Sequence, residues 1–82
     1  MALDEQKRQA NEAKFDKWQS LKDGGRLYSL EVFGRSGWKA IYFKEVDGDE
    51  TTTRFWQEIH DETGSLVEIH EKYPEDKGHR RF

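Results

Sequence analysis

Residues 58–70 read EIHDETGSLVEIH and contain the same three letters twice: Glu58-Ile59-His60 returns as Glu68-Ile69-His70. Between the copies stands Asp61-Glu62-Thr63-Gly64, a cluster of turn formers. Apolar and polar residues alternate on both sides of it, which is the period of a strand. The stretch predicts two antiparallel strands joined by a tight hairpin. Gly64 suits the left-handed position of a type I turn followed by a bulge, because glycine has no Cβ to clash there. That turn sets Ile59 against Val67 and Gln57 against Ile69. It gathers Phe55, Ile59, Val67 and Ile69 on one face. The other face then carries Trp56 opposite His70, Glu58 opposite Glu68, and His60 opposite Leu66.

Working outward, residues 51–60 (TTTRFWQEIH) and 65–73 are the two strands of this hairpin, the second stopped by Pro74. Residues 38–46 (WKAIYFKEV) form a strand before them, left through Asp47-Gly48, a strong hairpin signal. Asp47-Gly48-Asp49-Glu50 lacks the ligand spacing of a calcium loop. Residues 27–33 (LYSLEVF) alternate as well, with Tyr28, Leu30 and Val32 on one side. Upstream the period changes. Residues 4–22 read as one helix with Asp4 as cap and a narrow stripe of Leu3, Ala10, Phe15, Trp18 and Leu21, stopped at Gly24-Gly25. The expected fold class is α+β: an N-terminal helix (4–22) packed on a four-stranded antiparallel β-meander (26–73), with a polar tail (74–82), all one domain over 1–82.

The composition fits a thin core. Of 82 residues, 33% are hydrophobic and 38% charged, yet 13% are aromatic, and each large ring can bury about 150–250 Å². The chain has no cysteine, which excludes disulfides, cysteine-based zinc sites and a thiol nucleophile. The opening MALDEQKRQ has no apolar signal segment, and no apolar run approaches the roughly 20 residues of a membrane span. The expectation is a cytoplasmic chain with no membrane association and no cofactor. Charge is uneven. Residues 45–76 hold eleven acidic and two basic residues within a chain of net charge −3. That belt disfavours nucleic acid as a partner and suits a basic one.

The uncoiled ladder brings Glu58, His60, Glu68 and His70 together as two diagonal pairs. They read as a solvated ladder, as a metal site, or with Arg54 as the acid–base set of a small ribonuclease. Opposed side chains on a flat sheet do not converge on a metal, so no metal ligands are assigned. No phosphate loop, zincin motif or nucleophile elbow occurs, so no catalytic residue is assigned either. The strand at 38–46 is apolar on both sides, whereas one helix covers one face. Trp38, Phe43, Arg54, Trp56, Glu58, His60, Glu68 and His70 are therefore the expected protein-interaction residues, for a protein partner or for self-association as a homodimer. The alternatives are the ribonuclease and an acidic inhibitor or immunity-type protein whose belt mimics a polyanion.

Residues 55–70, FWQEIHDETGSLVEIH, resemble one copy of a tandem Tyr-Asp hairpin repeat, with His60-Asp61 in place of Tyr-Asp. The resemblance implies a bulged hairpin and carries no function.

Overall fold

The computed structural model describes residues 2–82, with side chains from Glu5 onward; the Asp4 cap and the Leu3 contact lie outside those described side chains. The fold is α+β. A helix, α1 (Ala2–Lys14), precedes six strands: β1 (Lys17–Ser20), β2 (Arg26–Phe33), β3 (Lys39–Val46), β4 (Thr52–His60), β5 (Leu66–Tyr73) and β6 (Gly78–Arg81). Each strand pairs antiparallel with the next, so the sheet order is the chain order. The body measures 43 × 24 × 20 Å. Among the described residues, no helix is long and apolar enough to cross a membrane.

The four central strands fall where alternation predicts them, but the meander has six strands, not four. The helix expected over 4–22 ends at Lys14, closed by Phe15 N–H donating to Asn11 O at 2.9 Å. Residues 17–20 then pair with β2, Trp18 facing Tyr28. A longer helix would leave the outer backbone groups of β2 without strand partners, and edge pairing satisfies them. Gly24-Gly25 is accordingly a hairpin turn rather than a helix stop. Gly24 takes φ +88°, and a Cβ on Gly25 would stand 2.1 Å from Val46 O. At the other end the supposed tail supplies β6. Arg81 and His79 reach Glu68 at 3.1 and 2.9 Å, so charge complementarity rather than hydrophobic pattern adds this strand.

The register of the quoted hairpin also differs. Only the rung beside the turn keeps the expected pairing, His60 facing Leu66. A bulge follows, after which Ile59 faces Glu68, Glu58 faces Ile69, Gln57 faces His70 and Trp56 faces Glu71. A bulge sets two residues against one. Val67 therefore stays with Ile59 while Ile69 moves to the opposite face. The simple ladder would oppose Glu58 and Glu68, a like-charge pair; the shifted one gives each glutamate an isoleucine.

Helix α1 roofs only one end of one face. Beneath it Phe15, Tyr28 and Val46 form the buried core, with Leu30, Tyr42 and Phe55 packed around them. This is the end where β3 turns into β4. The opposite end of the same face and the whole reverse face carry no second layer among the described residues.

Candidate functional site

The expected interaction residues divide between the two faces. Phe43, Arg54, Trp56, Glu58 and His60 lie on the helix-free face, following the pairings of Phe43 with Trp56 and of Ile41 with Glu58. Trp56 is not open there: it is 8% exposed. Phe43 stacks on it with ring centres 4.9 Å apart, and the Arg54 guanidinium lies 4.0 Å from its ring centre. Glu71 holds Arg54 in that position through an ion pair, and the Trp56 indole N–H donates to Glu58 at 3.0 Å. The strip is thus roofed by its own side chains. Beside it a trough of about 530 Å³ runs over Leu27, Ser29 and Phe43 toward Lys17 and Gln19 of the edge strand.

Trp38, Glu68 and His70 lie on the helix side of the sheet, so the quartet Glu58, His60, Glu68 and His70 is not assembled. Each histidine finds a nearer carboxylate. His60 Nε2 lies 3.0 Å from Glu58, His70 Nε2 lies 2.6 Å from Asp76, and His79 Nδ1 lies 2.9 Å from Glu68. The rings of His70 and His79 are tilted neighbours, 4.3 Å between centres. Hydrogen bonds from Arg81 chiefly, then from His79, hold the Glu68 carboxyl below its usual range despite some desolvation. Among the described residues no three His, Asp or Glu side chains are arranged to hold a metal ion.

The end of the sheet that α1 does not reach is apolar and open. Val32, Phe33, Trp38, Leu66 and Phe82 are all exposed large hydrophobics, with Phe33 at 74% and Phe82 at 76%. They lie on adjoining rungs, Val32 with Ala40 and Ile59, and Phe33 with Lys39, His60 and Leu66. Phe82 is tied in by its N–H donating to Val67 O at 2.9 Å. A groove of about 290 Å³ runs between Trp38, Ile59, Val67 and Phe82.

Sequence reasoning missed a polar cluster under the helix. Glu50, in the β3–β4 turn, is 3% exposed and adopts a left-handed φ of +65°. Its carboxylate accepts hydrogen bonds from the Tyr28 hydroxyl, from Asn11 Nδ2 at 3.1 Å and from Arg8 Nε at 3.2 Å. Burial opposes ionisation, but the bonds from Tyr28, Asn11 and Arg8 outweigh it and hold the carboxyl below its ordinary range. Asn11 also accepts from the Lys44 ammonium at 2.8 Å. The one signal in the sequence was Glu50 itself, standing in the turn position that Gly64 fills in the next hairpin. No protein-family model, curated protein or solved structure matches the chain, so the reading of this site rests on its own residues and geometry.

Proposed function

We propose that the chain is a protein-binding module that docks through the open end of its sheet and the adjoining helix-free face. The observation that carries this reading is the run Val32, Phe33, Trp38, Leu66 and Phe82, five exposed large hydrophobics on neighbouring rungs. Val32, Trp38 and Phe82 stand on the helix side of this end and Phe33 and Leu66 on its reverse, and apolar surface left exposed at one end of the sheet, beyond the reach of α1, suits a contact with another protein. Three carboxylates of the acidic belt are engaged by arginines of the fold: Glu50 by Arg8, Glu71 by Arg54, Glu68 by Arg81. That favours apolar docking over mimicry of a polyanion. The division of the four Glu and His residues between two faces likewise favours binding over acid–base chemistry.

The test compares wild type with the double substitution Trp38→Ser and Phe82→Ser. Sedimentation velocity over a wide concentration range reads self-association, and capture from cell extract reads a separate partner. The expected result is an association that the double substitution abolishes while the melting temperature falls by only a few degrees. A protein that stays monomeric, with no partner whose capture depends on these residues, overturns the reading.

A further inference from the structure

The cleft between α1 and the start of β4 has a chemistry unlike the open end. Lys44 projects from β3 beneath the helix, half-buried, and its single hydrogen bond goes to a neutral amide, Asn11 Oδ1. Among the described residues no carboxylate lies within ion-pair distance of Lys44. Glu50 is the nearest acidic influence, but its oxygens are engaged by Tyr28, Asn11 and Arg8. Burial first, and repulsion from Lys14 second, push the Lys44 ammonium below the usual lysine range. The fold has therefore half-buried a cation beside a carboxylate, Glu50, whose hydrogen bonds go to other groups.

Lys44 opens into a hollow of about 400 Å³. Its lining combines Lys14, Lys44, Thr51 and Thr52 with the rings of Phe15, Phe55 and Tyr73. The size is that of a small-ligand site. Two ammonium groups and two threonines suit a carboxylate, since a charge-assisted bond to an oxyanion restores what Lys44 lost. The rings suit an apolar body.

We propose that this cleft binds a small organic monocarboxylate with an aromatic or alkyl body, its carboxylate on Lys44 and Lys14 and its body against Phe55 and Tyr73. The site is separate from the docking surface, and Trp38→Ser with Phe82→Ser leaves it intact.

The test is an amide-resolved NMR titration of the full chain with 3-phenylpropanoate, run beside acetate, inorganic phosphate and the neutral 3-phenylpropanamide. Saturable shifts are expected at residues 14, 44, 51, 52, 55 and 73. Acetate and phosphate, which lack the body, are each expected to bind about tenfold more weakly or worse, a loss equal to about two methylenes. The amide, which keeps the body and lacks the charge, is expected to lose about tenfold through the missing charge-assisted bond. Lys44→Met is expected to weaken 3-phenylpropanoate by about tenfold or more. Lys14→Gln, on the exposed rim, is expected to weaken it by about threefold and keeps the test informative should Lys44→Met not fold. Absence of saturable shifts overturns the proposal. So does equal binding of acetate or phosphate, which would make the cleft a point-charge site, or an affinity unchanged in Lys14→Gln.

Discussion

The turns at the two ends of β4 share a backbone and differ at the residue that takes its left-handed position. In residues 47–51 Asp47 N–H donates to Thr51 O and Glu50 N–H to Asp47 O; in residues 61–65 Asp61 N–H donates to Ser65 O and Gly64 N–H to Asp61 O. In both, the leading aspartate also accepts two backbone N–H groups, from Asp49 and Thr51 in one and from Thr63 and Ser65 in the other. The fourth residue is left-handed in each, Glu50 at φ +65° and Gly64 at φ +86°. Glycine holds that conformation without strain; a glutamate there costs about 1–3 kcal/mol. The strain at Glu50 is offset by its carboxylate, which ties the turn to Arg8 and Asn11 of the helix and to Tyr28 of β2. Gly64 has no side chain to tie anything, and a Cβ there would meet nothing within 4 Å. One end of the sheet is consequently roofed and the other is open. The difference teaches that the αL position of a common hairpin can be used to fasten a helix, at the expense of local strain.

Six variants break or sharpen this comparison. The largest effect is expected from Glu50→Ala, which keeps the strained Cβ and leaves the buried Tyr28 and Asn11 donors and the half-exposed Arg8 without their acceptor. Urea unfolding at neutral pH should show a loss of about 3–5 kcal/mol. A loss under about 1 kcal/mol would mean that the carboxylate does not secure the roof. Glu50→Gly should be milder than Glu50→Ala by about 1–2 kcal/mol, because it relieves the left-handed strain that alanine retains.

Tyr28→Phe removes one donor to a buried charge and should cost about 1.5–3 kcal/mol in the same assay. The same carboxylate fixes a pH dependence. Its folded pKa lies below the ordinary glutamate value of 4.5, so its contribution is complete above that value. It is lost as pH falls through the folded pKa. Glu50→Gln should therefore flatten the acid limb of stability measured from neutral pH downward. An acid limb as steep as in wild type would assign the acid sensitivity to other carboxylates.

Gly64→Ala brings strain to the open-end turn with nothing to offset it and should cost about 1–2 kcal/mol. Trp38→Ser with Phe82→Ser should be the mildest, about 0.5 kcal/mol for each exposed site, while abolishing the proposed association. A thermal shift of many degrees would place these side chains in the core instead.

The central strands were legible because their signals are local: residues 27–33, 51–60 and 65–73 alternate within a few positions, and 38–46 is an apolar run bounded by turn residues on both sides. Trp18 misled because Phe15, Trp18 and Leu21 fit a helical spacing, and nothing local shows that β2 lacks an edge partner. His79-Arg80-Arg81 misled for the opposite reason. A strand held by ion pairs to Glu68 has no apolar period to read. The candidate interaction residues were identified by type, but their division between faces depended on a bulge at Val67. A shift of one residue moves every side chain beyond it to the other face. That is why Glu58 and His60 parted from Glu68 and His70.

By itself the sequence determined the secondary-structure period, the antiparallel meander through its turn residues, and the aromatic character of a thin core. Those are consequences of side-chain spacing and backbone stereochemistry within a few residues. Only the tertiary structure decided where the helix stops, that the chain ends pair as outer strands, and that Glu50 meets Arg8 and Asn11 from about forty positions away. It also decided that, among the described residues, Lys44 has no carboxylate within ion-pair distance. Pairings of that kind depend on which groups remain unsatisfied once the sheet has formed, and no local pattern encodes them.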